Sequence, residues 1–167
     1  MMAAMSTTRR LRLLIADDHR PTREELVAQL ELTFEIVGAY SDGVNAARVA
    51  AVANPDICLL DVQMPEASGI EAAFDIRHRV PDAIVVLMSA SPNDEDLAGA
   101  IKAGAHGYFD ESLSNQHLPD ILRAVASAKS VPAETASTRP LRRRKGSSMK
   151  TSVARRWRVG GYRRSWT

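Results

Sequence analysis

The chain has 167 residues, 45% hydrophobic and 25% charged, a composition of soluble globular proteins with room for one ordinary domain and an extension. No stretch reaches the roughly 18 apolar residues that span a bilayer, "MMAAMSTTRR" lacks an apolar signal core, and the lone Cys58 cannot form an internal disulfide, so a cytoplasmic, non-membrane protein is expected. The net charge of +2 hides an asymmetry: residues 1–133 carry 11 Lys and Arg against 19 Asp and Glu, net −8, whereas residues 134–167 carry 11 Lys and Arg and only Glu134, net +10.

Residues 11–16, "LRLLIA", are a short apolar run ending at Asp17-Asp18, the pattern of a first strand. In "PTREELVAQLEL" (21–32) Pro21 suits a first helical turn, and Leu26, Val27 and Leu30 recur at helical spacing. "FEIVGAY" (34–40) reads as a strand, and "GVNAARVAAVA" (43–53) as an alanine-rich helix stopped before Asn54-Pro55. "DICLLD" (56–61) is the third strand, with Cys58 inside the apolar run as a buried, inert thiol. "SGIEAAFDIRHRV" (68–80) is a helix closed by Pro81, and "AIVVLM" (83–88) the fourth strand. Ser91 with Asp94 has the form of a capping box opening "PNDEDLAGAIKAG". "HGYF" (106–109) is a short fifth strand, and "SNQHLPDILRAVASA" (114–128) a last helix in which Pro119 sits early, where it costs least.

Five strands alternating with five helices require crossover connections, and so predict an α/β fold with a parallel sheet covered on both faces. Strands three and four, nearly unbroken apolar runs, belong at its centre; strand two suits an edge.

In such a sheet the carboxyl ends of the strands form the ligand crevice. Strand one ends at Asp17-Asp18, strand three at Asp61, strand four at Ser89-Ala90 and strand five near Glu111. If strands one, three and four are neighbours, three carboxylates converge, and like charges held together raise one another's pKa unless a cation sits among them. No Lys or Arg stands on those loops, so the pattern suggests a hard divalent cation such as Mg²⁺, which uses one or two carboxylates and keeps waters and open positions for phosphate oxygens. Asp61 could then act as a nucleophile toward a phosphoryl group, with the Ser89 hydroxyl as a donor to its oxygens.

These residues resemble the receiver domain of response regulators, the phosphoacceptor module of two-component signalling. The resemblance covers about residues 11–130. It rests on "LLIADDH", on "PDICLLDVQMPEASGIE" with Pro65 four and Gly69 eight residues after Asp61, on "VVLMSAS" and on "AGAHGYF". It implies a flavodoxin-like three-layer (βα)5 sandwich with strand order 2-1-3-4-5. It makes Asp61 the phosphorylation site, fed by a sensor histidine kinase. Asp18, Asp61 and the Gln63 backbone carbonyl become direct Mg²⁺ ligands, and Asp17 acts largely through water. Ser89 is similar to the switch hydroxyl and Tyr108 to the switch aromatic. Their movement remodels the face of helix four, strand five and helix five, through which family members often form a homodimer.

One position departs from the family. Glu111, three residues after the aromatic, stands where members carry a lysine that pairs with a phosphoryl oxygen. A carboxylate there repels the phosphoryl group, which supports a second reading: a pseudo-receiver that signals by binding without efficient phosphorylation. A third class, an aspartyl-phosphate phosphatase of the haloacid-dehalogenase type, puts its nucleophile on the first strand with a second Asp two residues later. Asp17 is followed by Asp18-His19, and the pattern fails. No enzyme with sustained turnover is expected. His19 reads as a loop residue beside the acidic pair, and His78, His106 and His117 lack ligand spacing.

Domain boundaries follow from composition: 1–10 as a disordered N-terminus, 11–130 as the receiver, and 131–167 as a disordered basic tail. The tail interleaves arginines with Trp157, Tyr162 and Trp166, suited to weak binding of DNA or another polyanion. The "ADDH" start and "GAHGYF" resemble receivers that precede a LuxR-type helix-turn-helix, but no such module is visible after residue 131, and the abrupt change near residue 135 also fits a shifted coding frame.

Overall fold

The computed structural model describes residues 9–111 and 115–130. The chain divides into two compact units, Met1–Leu113 and Ser114–Thr167. The first contains β1 (Arg12–Ala16), α1 (Arg20–Leu30), β2 (Glu35–Tyr40), α2 (Gly43–Ala53), β3 (Ile57–Asp61), α3 (Gly69–Arg79), β4 (Ile84–Ser89), α4 (Asp94–Lys102) and β5 (Gly107–Asp110). The described part of the second is a 3-10 turn, Asn115–His117, continuing into α5 (Leu118–Ser130). In α5 the buried Leu118, Leu122, Val125 and Ala126 recur at helical spacing, and Pro119 falls in the first turn, where its missing N–H has no intrahelical partner to lose.

All four strand pairings are parallel, in the order β2-β1-β3-β4-β5. This is the flavodoxin-like order expected from the sequence, with β3 at the centre and β2 at an edge. Alternation divides the side chains between two faces. Leu14, Ala16, Cys58, Leu60, Val85 and Leu87 join one buried cluster with Ala46, Ala50, Ala73, Ile76 and Ala100 from α2, α3 and α4. Leu13, Ile15, Leu59 and Val86 point the other way and are equally buried, on the side that α1 covers with Leu26 and Leu30. The alanine-rich seams bring α2 and α3 close to the sheet. Cys58 is fully buried and its thiol is pushed up to about 12 by desolvation, so it is inert packing.

Helix starts follow local chemistry. Asp42 caps α2 by accepting from the Asn45 amide, and Ser68 with Glu71 forms a reciprocal capping box on α3. The capping box expected at Ser91 is not the one used: α4 opens on Asn93, which accepts from the Asp96 amide. Ser91 instead donates its backbone N–H to the Ser89 hydroxyl, drawn there by the end of β4.

The amino end of the sheet is held by arginines. Arg9 pairs with both carboxylate oxygens of Asp56 at 2.9 and 3.0 Å, and Asp56 also accepts the Arg12 amide at 2.7 Å. Arg10 donates to the carbonyls of Glu31 and Phe34 just beyond α1, and Arg12 to that of Ala53 at the end of α2. The Glu31 and Ala53 carbonyls are ones that a helix end leaves without intrahelical partners. Arg9 and Arg10, expected within an unstructured extension, are thus bonded to the sheet's first unit; residues 1–8 and 131–167 lie outside the described residues, as does the expected helical residue Ser114.

At the opposite end two glycines fix the β3–α3 loop. A Cβ on Gly69 would lie 2.0 Å from the Asp61 carbonyl oxygen, and one on Gly43 would lie 2.2 Å from that of Ala67. Both contacts are backbone, so no rotamer change relieves them. Gly69→Ala is expected to lower unfolding free energy by about 1–3 kcal/mol, the usual cost of overpacking, as a shift in urea midpoint. An unchanged midpoint would mean that the loop moves aside freely.

Candidate functional site

Register assembles the site. Ala16 pairs with Leu60 and Asp61 with Met88, so Asp17 and Asp61 leave adjacent strands at the same height, with Ser89 one residue beyond. The Asp17 amide is tied to the Tyr40 carbonyl at 3.0 Å and the Val62 amide to that of Met88 at 2.9 Å, which holds both strand ends. Carboxylate oxygens of Asp17, Asp18 and Asp61 come within 4.8 Å of one another. They line one cleft of about 270 Å³ with Gln63, Ser89 and Glu111. The expected convergence of three acidic side chains at the sheet's carboxyl end is therefore present.

Asp17 is 2% exposed, and its Oδ1 accepts the His19 amide at 2.8 Å. Burial raises its pKa, opposed by that amide and assisted by Asp18. Asp61 accepts the Gln63 amide on Oδ1 at 3.2 Å. Desolvation, first, and then the charges of Asp17, Glu111 and Asp18, against the Gln63 bond, push it up to about 7. An oxygen-only donor set under this mutual repulsion suits a hard divalent cation, which would relieve it.

A pH dependence follows. In the metal-free fold Asp61 retains its proton up to about 7, whereas the unfolded chain releases it near 3.8. Between those values the folded state binds more protons, so this group's contribution makes stability fall as pH rises and level off above about 7. Denaturation in chelator across that range is expected to show a steeper downward slope for wild type than for Asp61→Asn, in which Asp17 and Glu111 still contribute. Equal slopes would place the titrating group elsewhere.

Glu111 lies where the ladder directs it: its amide donates to the Ser89 carbonyl at 2.9 Å, extending the β4–β5 pairing one residue past Asp110. Its side chain lines the cleft, and Oε1 is buried with no hydrogen-bond partner among the described residues. Desolvation and the charges of Asp17 and Asp110 raise its pKa. Tyr108, on β5, also has a buried hydroxyl without a well-formed hydrogen bond, although Ser89 is near enough to oppose the rise that burial causes.

His19 sits at the cleft as the residue before α1, its ring Nδ1 2.8 Å from the Thr22 hydroxyl. His106 is a packing residue that accepts the Val85 amide on Nδ1, and His78 bonds the Phe74 carbonyl. Sequence reading missed Arg23, whose guanidinium donates to the Asp17 carbonyl at 2.5 Å and whose charge opposes the rise in the Asp17 pKa. The loops lack basic residues, but α1 starts at Arg20 and so turns its fourth residue back over β1. No local sequence signal marks that reach, since it depends on the turn from β1 into α1.

A family profile described as the response regulator receiver domain matches residues 13–123. The transcriptional regulatory protein DegU of Brevibacillus brevis is 32% identical over 119 residues, 70% of this chain and 50% of that protein. The chemotaxis protein CheY of Halobacterium salinarum is 30% identical over 116 residues, 70% of this chain and 97% of CheY. Among solved structures, a LuxR-family two-component response regulator from an Aurantimonas species is similar with a TM-score of 0.67 and 26% identity, covering 71% of this chain and 86% of that one. The chain thus spans about half the length of DegU and nearly all of CheY.

Proposed function

Because the chain belongs to the response regulator receiver family, we propose that it is the phosphoacceptor module of a two-component system, with Asp61 as the acceptor. Receiver domains of response regulators interact with sensor kinases and hold Mg²⁺ in an acidic pocket. The observation that carries the reading is the meeting of Asp17, Asp18 and Asp61 oxygens within 4.8 Å at the carboxyl ends of β1 and β3.

In this reading an Asp61 oxygen attacks the phosphorus of a kinase phosphohistidine. A P–O bond forms, the P–N bond breaks, and the electron pair leaves with the imidazole. Mg²⁺, held by Asp18, Asp61 and the Gln63 carbonyl with Asp17 acting through water, would neutralise charge on the phosphoryl oxygens. The Gln63 amide orients Asp61, and the Ser89 hydroxyl donates to a phosphoryl oxygen. Recruitment of Ser89 would alter the environment of the buried Tyr108 hydroxyl and pass the event to the α4 and β5 side, the face proposed to mediate a homodimer. The output proposed is regulation of transcription, as the DegU relative's name states for that protein. No helix among the described residues is long and apolar enough to cross a membrane.

A specific observation favours a second reading. Glu111 lines the cleft where the family has lysine, so a pseudo-receiver that signals by protein binding remains the alternative function. Intact-mass analysis after incubation with acetyl phosphate, with and without Mg²⁺, separates the two. Mg²⁺-dependent gain of one phosphoryl group is expected; no gain with any small donor or cognate kinase would favour the second reading.

A further inference from the structure

The cleft holds more unspent acceptor capacity than the three aspartates alone account for. Asp17, 2% exposed, already accepts the His19 amide on Oδ1. Glu111, by contrast, has a buried Oε1 without a hydrogen-bond partner among the described residues. A buried carboxylate oxygen without a donor is costly, so a ligand that supplies positive charge or hydrogen-bond donors is favoured beside Glu111. The main chain at Glu111 is also held in place, because its amide is committed to the Ser89 carbonyl.

The position of Glu111 limits its role. The three aspartates share one point to within 4.8 Å, and Glu111 is not among the groups that reach it. A cation on the aspartates would meet Glu111 through a coordinated water, an arrangement natural to Mg²⁺, which keeps several waters and binds through few carboxylates.

We infer that Glu111 retains a divalent cation in the unphosphorylated cleft by accepting hydrogen bonds from the ion's coordinated water, on the side a phosphoryl group would occupy. The inference rests on the reading of this cleft as a metal site. It makes Glu111 a positioning residue for the hydrated ion. A lysine at that position would repel the ion and wait for the phosphoryl oxygen; a carboxylate favours the ion and its water. The protein is thereby biased toward a cation-loaded resting state in which an incoming phosphoryl oxygen must displace the water that Glu111 holds, while the ion stays.

The test is isothermal titration of the full chain, stripped with chelator, with MgCl2 and separately MnCl2, using wild type, Glu111→Gln and Asp18→Asn. Wild type is expected to show one saturable site for each ion, lost in Asp18→Asn. Glu111→Gln is expected to weaken both dissociation constants about 10- to 100-fold, the scale typical of groups that support a metal site from outside its ligand shell. Glu111→Gln within about twofold of wild type, or tighter, overturns the inference and leaves the metal site standing. Wild type without saturable binding, like Asp18→Asn, overturns both.

Discussion

Asp61→Asn is expected to abolish labelling by acetyl phosphate, leaving the intact mass unchanged under conditions in which the wild type gains one phosphoryl group. The amide is close in shape to the carboxylate but is not a nucleophile toward phosphorus at neutral pH. Asp61 is the acidic side chain that ends the central strand and meets both its acidic neighbours. The hydrogen bond it accepts from the Gln63 amide uses Oδ1 and leaves the other oxygen for attack. The substitution also removes a charge from a crowded cleft, so the variant should be at least as stable as wild type in chelator. Loss of labelling therefore cannot be ascribed to unfolding. Continued labelling of Asp61→Asn to the wild-type extent would move the acceptor elsewhere and remove the proposed function.

Glu111→Lys is expected to raise the rate of labelling by the same donor, on the order of 100-fold, the scale set by one well-placed donor to a developing oxyanion. Two effects act together. The substitution removes a carboxylate whose charge contributes to the raised pKa of Asp61, and it adds a cation beside the transferred oxygens. The backbone needs no change, because the bond from residue 111 to the Ser89 carbonyl is made by the main chain. The same substitution should weaken cation binding in the resting protein. Opposite movements of phosphorylation and metal affinity distinguish this account from a simple loss of structure, which would lower both. Equal labelling rates for wild type and Glu111→Lys would show that the glutamate is no obstacle to transfer.

The order of the sheet and the convergence of Asp17, Asp18 and Asp61 were legible because they depend on short-range pattern: apolar runs of strand length, helical spacing between them, and an acid at each critical strand end. The position of Glu111 was legible too, as a residue just past the fifth strand. Its orientation was not. Whether a side chain beyond a strand end turns inward or into solvent depends on ladder continuation, here the residue 111 amide reaching Ser89, and no local sequence signal encodes that. The shift of the α4 cap from Ser91 to Asn93 has a similar cause. Both residues suit a cap, and the carboxyl end of β4 claimed the nearer one through the Ser89 hydroxyl. Arg23 was hidden for a third reason: it reaches the site from a helix rather than from a loop, across a turn whose geometry only the fold supplies.

The two ends of the strands also differ electrically. At the floor Arg9 and Arg12 are ion-paired with Asp56 and Glu35, whereas Asp17, Asp18, Asp61 and Glu111 crowd the mouth with carboxylates and leave it the negative end. Diffusing cations are drawn toward the mouth before any contact forms, and a docking surface rich in lysine would arrive already turned to face it. Over distances beyond about 8 Å physiological salt damps this pull, so it guides the final approach rather than the long-range search.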